Sequence, residues 1–263
     1  MQKRGVLGRL NKSALFAKYG MLMLMKYLLK IRLSVYFFVL LGLFTFISFT
    51  ITTHDFKSSA LTLFSVNSFL YGFYIAPILS GQKSRIEELQ KIIRNEANAL
   101  FSLLIKTKQL NTHNRTKYQA DFEKYIRASL KQRKPAEGEV EYEAIISDML
   151  QYEGEDKEVI DKMLDGVVAN QQNRSALAMQ LTNKVYSNEW WVMLVLFSIT
   201  LGFILFLDIG EDWTMKLVKA FLCTGLSMLL VILIKLSTLT HKKAKMLWKP
   251  FEKLLESRFY RID

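Results

Sequence analysis

The chain has 263 residues, of which 51% are hydrophobic and 23% are charged, with a net charge of +12. These averages fit both a soluble domain and a membrane protein. The positions of the hydrophobic and charged residues along the chain distinguish between the two. The single cysteine, Cys223, excludes an intrachain disulfide framework. The basic excess flanks apolar segments, and we therefore expect anionic membrane lipids as partners and no nucleic acid.

The apolar residues are concentrated in long segments. These segments are residues 33–52, 60–80, 190–207 and 217–236. Each one, as a helix rising about 1.5 Å per residue, can span a hydrocarbon layer of roughly 30 Å. The first segment carries no charged residue, whereas a buried helix of a soluble protein normally keeps a polar stripe. The pattern predicts an all-α protein with four transmembrane helices.

Basic residues near these segments predict the orientation. Residues 1–32 contain eight Lys or Arg and no acid, and the tail from Leu239 contains seven against three acids. Basic flanks are retained in the cytoplasm. We therefore expect both termini and the long connection between the second and third spans to be cytoplasmic.

Five regions follow from this topology. They are a basic amphipathic segment (1–32), a first helix pair (33–80), a cytoplasmic helical region (81–187), a second helix pair (188–238) and a basic cytoplasmic tail (239–263). Pro77 and Gly81 mark the end of the second span. Apolar spacing of three and four predicts further helices over 85–110, 117–131 and 140–152, and one from Lys157 that continues into the third span.

Charge divides the cytoplasmic region. Residues 83–134 hold 13 bases against five acids, and residues 137–165 hold 11 acids against two bases. The two parts should attract each other within or between subunits. The acidic part lacks the ligand spacing of a calcium-binding EF-hand loop. We expect no metal site there.

Catalytic motifs are missing from the sequence. It has no phosphate-binding glycine loop, no HExxH and no paired cysteines. His54, His113 and His241 belong to separate connections and cannot readily meet at one site. We therefore predict that the protein is not an enzyme and has no cofactor.

The second apolar segment carries an unusual number of uncharged polar side chains. Those that we single out as candidate pore-lining residues are Ser65, Asn67, Ser68, Tyr71 and Tyr74. Polar groups within a membrane need partners. The stripe either faces a wet lumen between several copies or forms hydrogen bonds between helices of a dry bundle, and the sequence leaves both open.

Two short stretches carry a resemblance to a known family. They are Arg85 to Leu100, after the second span, and Asn173 to Trp191, which leads into the third. With the topology, they make the chain similar to the bacterial bestrophin-like domain family and to the bestrophins, anion channels with four membrane helices. This resemblance implies a homopentamer in a bacterial inner membrane, with the second helix of each subunit around a pore and with Ile75 or Ile78 near its constriction.

The family pattern is not matched everywhere. The basic residues that follow the fourth span stand where an acidic cluster would be expected, which puts calcium activation in doubt. Charges at the pore mouths are expected from Lys57, Lys83, Arg85 and Lys219. With the resemblance, the sequence predicts an oligomeric ion channel that conducts anions such as chloride. The polar stripe by itself leaves a cation pathway open, because hydroxyl and carbonyl oxygens also coordinate sodium or potassium. The alternative is a non-conducting membrane anchor or signalling protein whose cytoplasmic helices bind a protein partner.

Overall fold

The computed structural model describes residues 31–132, 138–210, 212–240 and 246–257. Within them the helices are α1 (Leu33–Thr50), α2 (Ser58–Lys106), α3 (Thr112–Gln132), α4 (Glu139–Leu150), α5 (Lys157–Thr182), α6 (Ser187–Phe206), α7 (Trp213–Ser237) and α8 (Lys249–Glu256). The all-α prediction is confirmed for this part of the chain. Four helical segments are long and apolar enough to cross a membrane, as predicted. The predicted amphipathic segment 1–32 lies almost entirely outside the described residues.

The described residues form two compact units. The first unit comprises 31–79, 186–210 and 212–240, and the second comprises 80–132, 138–185 and 246–257. Helix α2 contributes residues to both. The apolar segments lie in the first unit, and the amphipathic helices lie in the second.

Small residues on α7 allow close packing in the first unit. Ala220, Cys223 and Ser227 are buried and lie on one side of that helix, and α7 packs along α1. Ala220 and Cys223 pack with Phe44 of α1 and Ile204 of α6. Without a hydrophobic driving force between helices in lipid, such small residues promote association by letting backbones approach. The lone cysteine is therefore a packing residue.

A short backbone bridge connects the loop between α1 and α2 with the loop between α6 and α7, at one end of this bundle. The His54 N–H donates to the Phe206 carbonyl at 2.8 Å, and the Asp208 N–H donates to the His54 carbonyl at 3.1 Å. The Phe56 ring lies 4.9 Å from that of Phe203. The two loops consequently form one connected end of the unit.

Aromatic residues mark the two ends of the bundle. Trp191 lies near the start of α6, and Trp213 begins α7, which follows the opposite end of α6. Both side chains are exposed. Amphipathic rings prefer the boundary between lipid and water, so these positions fit a layer bounded at both helix ends.

Helix α2 is longer than the sequence predicted. It continues through Pro77, so that the second apolar segment and the amphipathic helix after it are one element, Ser58–Lys106. Proline removes a single backbone donor, and helix bonds on either side of it can persist. Pro77 and Gly81 therefore do not end the helix.

The reverse correction applies between α5 and α6, which the sequence predicted to be continuous. Helix α5 ends at Thr182 and α6 begins at Ser187. Arg85 donates to the carbonyls of Gln180 at 2.7 Å and Leu181 at 2.9 Å, which would otherwise accept from a continuing helix. The Glu189 carboxylate accepts the Tyr186 N–H at 3.0 Å and starts the new helix.

The second unit has its own core. Its fully buried side chains come from five helices and include Leu89, Ile93, Leu100, Tyr118, Phe122, Ile126, Tyr142, Met149, Ile160 and Phe251. Gly138 precedes α4 where an added Cβ would lie 2.7 Å from the Tyr125 ring, so only glycine fits without displacement. Within the region that the sequence assigns to a basic tail, α8 packs on α3 with Phe251 buried.

An ion pair connects the basic and acidic parts of this unit. Lys117 on α3 contacts Asp148 on α4. Both side chains are more than a third exposed, so the pair contributes at most about 1 kcal/mol. Apolar burial, and not charge attraction, accounts for most of the packing here.

Candidate functional site: the membrane segment of α2

The segment from Ser58 to Leu79, here called the membrane segment of α2, has two different faces. The inner face packs against α6 within the same chain. Asn67 donates from Nδ2 to the Leu196 carbonyl at 3.1 Å and to the Thr200 hydroxyl at 2.8 Å. This candidate pore residue therefore forms interhelical hydrogen bonds, one of the two interpretations that the sequence left open.

Tyr71 and Ile75 continue the inner face. They are 2% and 3% exposed, and the Tyr71 ring lies 6.0 Å from that of Phe197 on α6. Ser68, Tyr74 and Ile78 are half-buried. The buried hydroxyls of Ser68 and Tyr71 have no hydrogen-bond partner among the described residues. The structure thus places Asn67, Tyr71 and Ile75 on the face of α2 that packs within the chain.

The outer face of the membrane segment is uncovered. Ser65, Phe69 and Phe73 follow one another at intervals of four residues and are all exposed. The rings of Phe69 and Phe73 stack with centroids 6.0 Å apart, and they are 69% and 71% exposed. The Ser65 hydroxyl donates to the Leu61 carbonyl at 3.0 Å. Of the candidate pore-lining side chains, Ser65 is the exposed one.

The four candidate mouth charges differ in their surroundings. Lys57 and Lys83 are exposed. Lys219 is 3% exposed and donates to the Leu207 carbonyl, at the end of α6, at 3.0 Å. Arg85 is 4% exposed and holds the end of α5. Burial lowers the pKa of Arg85, but the guanidinium remains charged at neutral pH.

A polar cluster in the second unit was not predicted from the sequence. Tyr125 on α3 donates to a carboxylate oxygen of Glu96 on α2, and Glu96 is 1% exposed. The Arg174 guanidinium lies 3.9 Å from the centroid of the Tyr142 ring and bonds Glu139 at 2.8 Å. The sequence feature that could have indicated this cluster is Glu96, an acid within the apolar stripe of α2, three residues after Ile93.

Burial controls the protonation of this cluster. It raises the pKa of Glu96, while the Tyr125 hydrogen bond and the charge of Arg174 act in the opposite direction. Burial also raises the pKa of Tyr142 to about 12. The tyrosines thus remain neutral donors at physiological pH, and the ionised form of Glu96 is disfavoured.

Metal ligands do not converge in the part of the chain that the structure describes. No group of three or more His, Cys, Asp or Glu side chains there is placed to hold a metal ion. His54 belongs to the bridge between two loops, and His113 lies on α3. His241 lies outside the described residues.

Together, the four apolar helical segments and the uncovered face of α2 define a helical integral membrane protein. A family model for the bestrophin-like domain matches residues 33–251, which is most of the chain. The chain belongs to the bestrophin-like family, whose relatives are oligomeric membrane ion channels, and the resemblance found in the sequence is confirmed. Neither the curated proteins nor the solved structures contain a match.

Proposed function

We propose that the protein is an oligomeric channel that conducts anions, with chloride as the permeant ion, along the outer face of the membrane segment of α2. The observation that carries this proposal is the exposed line of Ser65, Phe69 and Phe73. No described residue of the chain covers the line. Copies of the chain around an axis would bring these side chains together.

The outer face has the chemistry for a weakly binding anion path. Aromatic rings carry partial positive charge at their edges, so rings of Phe69 and Phe73 around an axis present that edge to an anion. Exposed hydroxyl groups at Thr62 and Ser65 lie beside them. Each donates to a backbone carbonyl one turn earlier in α2, and by rotating it would donate to a passing anion instead. A path without a fixed positive charge binds an anion weakly enough to release it.

The two faces of the segment then have separate roles. Asn67 and Tyr71 fix α2 against α6 from behind the path, because both are directed into the subunit. Ile75 is buried with them, whereas Phe69 and Phe73 are uncovered. The proposed constriction is therefore the pair of phenylalanine rings. The half-buried Ile78 lies beyond it along α2.

The exposed lysines would act at the mouths. Lys57 and Lys83 lie before and after the membrane segment, and both are exposed. Their charges would raise the local anion concentration. Arg85 and Lys219 act instead on helix ends, since each donates to backbone carbonyls.

The assembly belongs to the same proposal. A homo-oligomer, with five copies as the family resemblance implies, would close the path on all sides. The basic flanks support cytoplasmic termini and contact with anionic lipids. The resemblance to a bacterial family supports an inner membrane location. A symmetric ring in detergent would support this arrangement.

Planar bilayer recordings of the purified protein test the path. Phe73→Ala should raise single-channel conductance or weaken selectivity between chloride and larger anions, because it widens the constriction. The matched control is Phe46→Ala on α1, where the removed ring is also exposed, at 68%. The control should conduct as the unsubstituted protein does.

Asn67→Leu provides the second arm. It removes two hydrogen bonds to α6, so it should lower thermal stability while leaving the ratio of anion permeabilities unchanged. A changed permeability ratio in Asn67→Leu with no change in Phe73→Ala would place the path on the inner face instead. No conductance at any voltage, pH or calcium concentration would reject the channel and favour a membrane anchor.

A further inference from the structure

A groove of about 340 Å³ lies in the first unit between α2, α6 and α7. Its walls are almost entirely apolar and include Ile204, Val218, Leu222 and Leu226. Water gains little in such a space, because it needs two to four polar partners. An empty groove would forfeit the dispersion contacts of its walls. A hydrocarbon occupant satisfies both conditions.

The dimensions of the groove match one leaflet of a bilayer. Its lining extends along α7 from Met215 to Leu226, which corresponds to about 16 Å at about 1.5 Å per residue. This length is about half of the roughly 30 Å hydrocarbon layer. On α6 the lining extends from Leu207, one residue beyond the helix end, to Thr200. The groove therefore begins at one end of the bundle and reaches its middle.

The two ends of the groove differ in polarity. Lys219 lines the end near Leu207, where its amine donates to that carbonyl at 3.0 Å. Ser68 and Thr200 line the deeper end. The Thr200 hydroxyl is already engaged, since it accepts from Asn67 and donates to Leu196. Positive charge thus lies where a phosphate would be, and the remaining lining suits a chain of methylene groups.

From the length, lining and polarity of this groove, we infer that it holds one acyl chain of a membrane phospholipid as a resident structural ligand. The occupied groove completes the packing of α2 against α7. It places a lipid directly behind the membrane segment of α2, so the bilayer composition can influence that segment. This inference requires a membrane-spanning unit but does not depend on ion conduction.

The rim of the groove offers a matched pair of substitutions. Leu222 lines the groove and is 55% exposed, whereas its neighbour Phe221 is 52% exposed and does not line it. An indole at position 222 would occupy the opening. Leu222→Trp should therefore exclude the chain, and Phe221→Trp adds a similar ring outside the groove. Because both positions are exposed, neither change disturbs the core.

The test uses vesicles of phosphatidylethanolamine and phosphatidylglycerol that contain a trace of phosphatidylglycerol with a diazirine on one acyl chain. After illumination, adducts are mapped by mass spectrometry. Labelling should concentrate on peptides containing Ile204 and Leu222. It should fall about tenfold in Leu222→Trp and remain unchanged in Phe221→Trp.

A second measurement tests the inference even if Leu222→Trp fails to fold. Adding phosphatidylglycerol to detergent-purified protein should raise its thermal midpoint by mass action, and Val218→Trp, at another exposed rim position, should abolish that rise. Labelling that is uniform over α1 and α7 and insensitive to the rim substitutions would overturn the inference. Benzoylphenylalanine can also be introduced in place of Leu222 as a photo-cross-linker. Cross-linking to a second copy of the chain, and not to lipid, would likewise overturn the inference.

Discussion

Replacing Glu96 with glutamine tests the electrostatics of the second unit. The Glu96 side chain is 1% exposed, and one of its carboxylate oxygens accepts a hydrogen bond from Tyr125. The other is buried without a partner among the described residues. Glutamine keeps an acceptor for Tyr125 and removes the negative charge. We expect Glu96→Gln to stabilise the protein at neutral and alkaline pH.

The size of the effect follows from two opposing contributions. Glutamine leaves a buried amide without a partner, which costs about 1 to 3 kcal/mol, but an unpartnered charged group costs more. A hydrogen bond to a charged acceptor exceeds a neutral one by about 1 kcal/mol, and its loss offsets part of this difference. The net gain at pH 8 should be about 1 kcal/mol. For a chain of this size, each kcal/mol shifts the thermal midpoint by about 2 to 4 °C.

The pH dependence has a definite sign. Burial raises the folded-state pKa of Glu96 above its ordinary value of 4.5, so the folded protein retains this proton to higher pH than the unfolded chain does. The stability that the bound proton contributes is complete below the unfolded-state pKa of Glu96, and it is lost as the pH rises through the folded-state pKa. In Glu96→Gln this loss should be absent.

Thermal midpoints in detergent between pH 4 and pH 9 measure the difference. Glu87→Gln is the matched control, because Glu87 is an exposed acid on the same helix. The midpoint of Glu96→Gln should exceed that of the unsubstituted protein increasingly with pH and then level off. A lower midpoint for Glu96→Gln at pH 8, or the same profile as Glu87→Gln, would refute the reasoning.

Three further outcomes are expected. Arg85→Met leaves two half-buried carbonyls without their donor and should cost about 2 to 4 kcal/mol in thermal or denaturant unfolding. The exposed Lys83→Met should change stability by less than about 0.5 kcal/mol. Tyr142→Phe loses a 2.7 Å hydrogen bond to a backbone carbonyl and should cost about 1 kcal/mol; an unchanged midpoint would mean that this bond contributes nothing net. In a cysteine-free background, thiols introduced at Ser58 and Glu143 should react with an impermeant reagent from the outer and the cytoplasmic side respectively, and equal accessibility from one side would contradict the predicted topology.

The sequence alone determined the helical class and the four apolar segments. In the hydrocarbon layer, backbone N–H and C=O groups must form hydrogen bonds with one another, because no water is present. An apolar segment such as Leu33–Thr50 therefore forms a helix there. The stretches around Arg85 and Arg174 also carried the family resemblance that the family model confirmed. These properties are local, and they can be read along the chain.

Helix ends depended on contacts between distant residues. The sequence predicted a helix end near Pro77, where α2 continues. It also predicted a continuous helix through Thr182, where α5 ends. The second error follows from Arg85, which is remote in sequence from the carbonyls of α5 to which it donates. Local spacing carries no information about such a partner.

The tertiary structure also decided which face of α2 is uncovered. Asn67 and Ser65 belong to the same polar stripe in sequence, but Asn67 finds Leu196 and Thr200 on α6, whereas Ser65 remains exposed. An uncharged polar side chain can serve a wet surface or an interhelical hydrogen bond equally well. The choice rests on the position of the neighbouring helix, because a hydrogen bond requires a partner within about 3 Å.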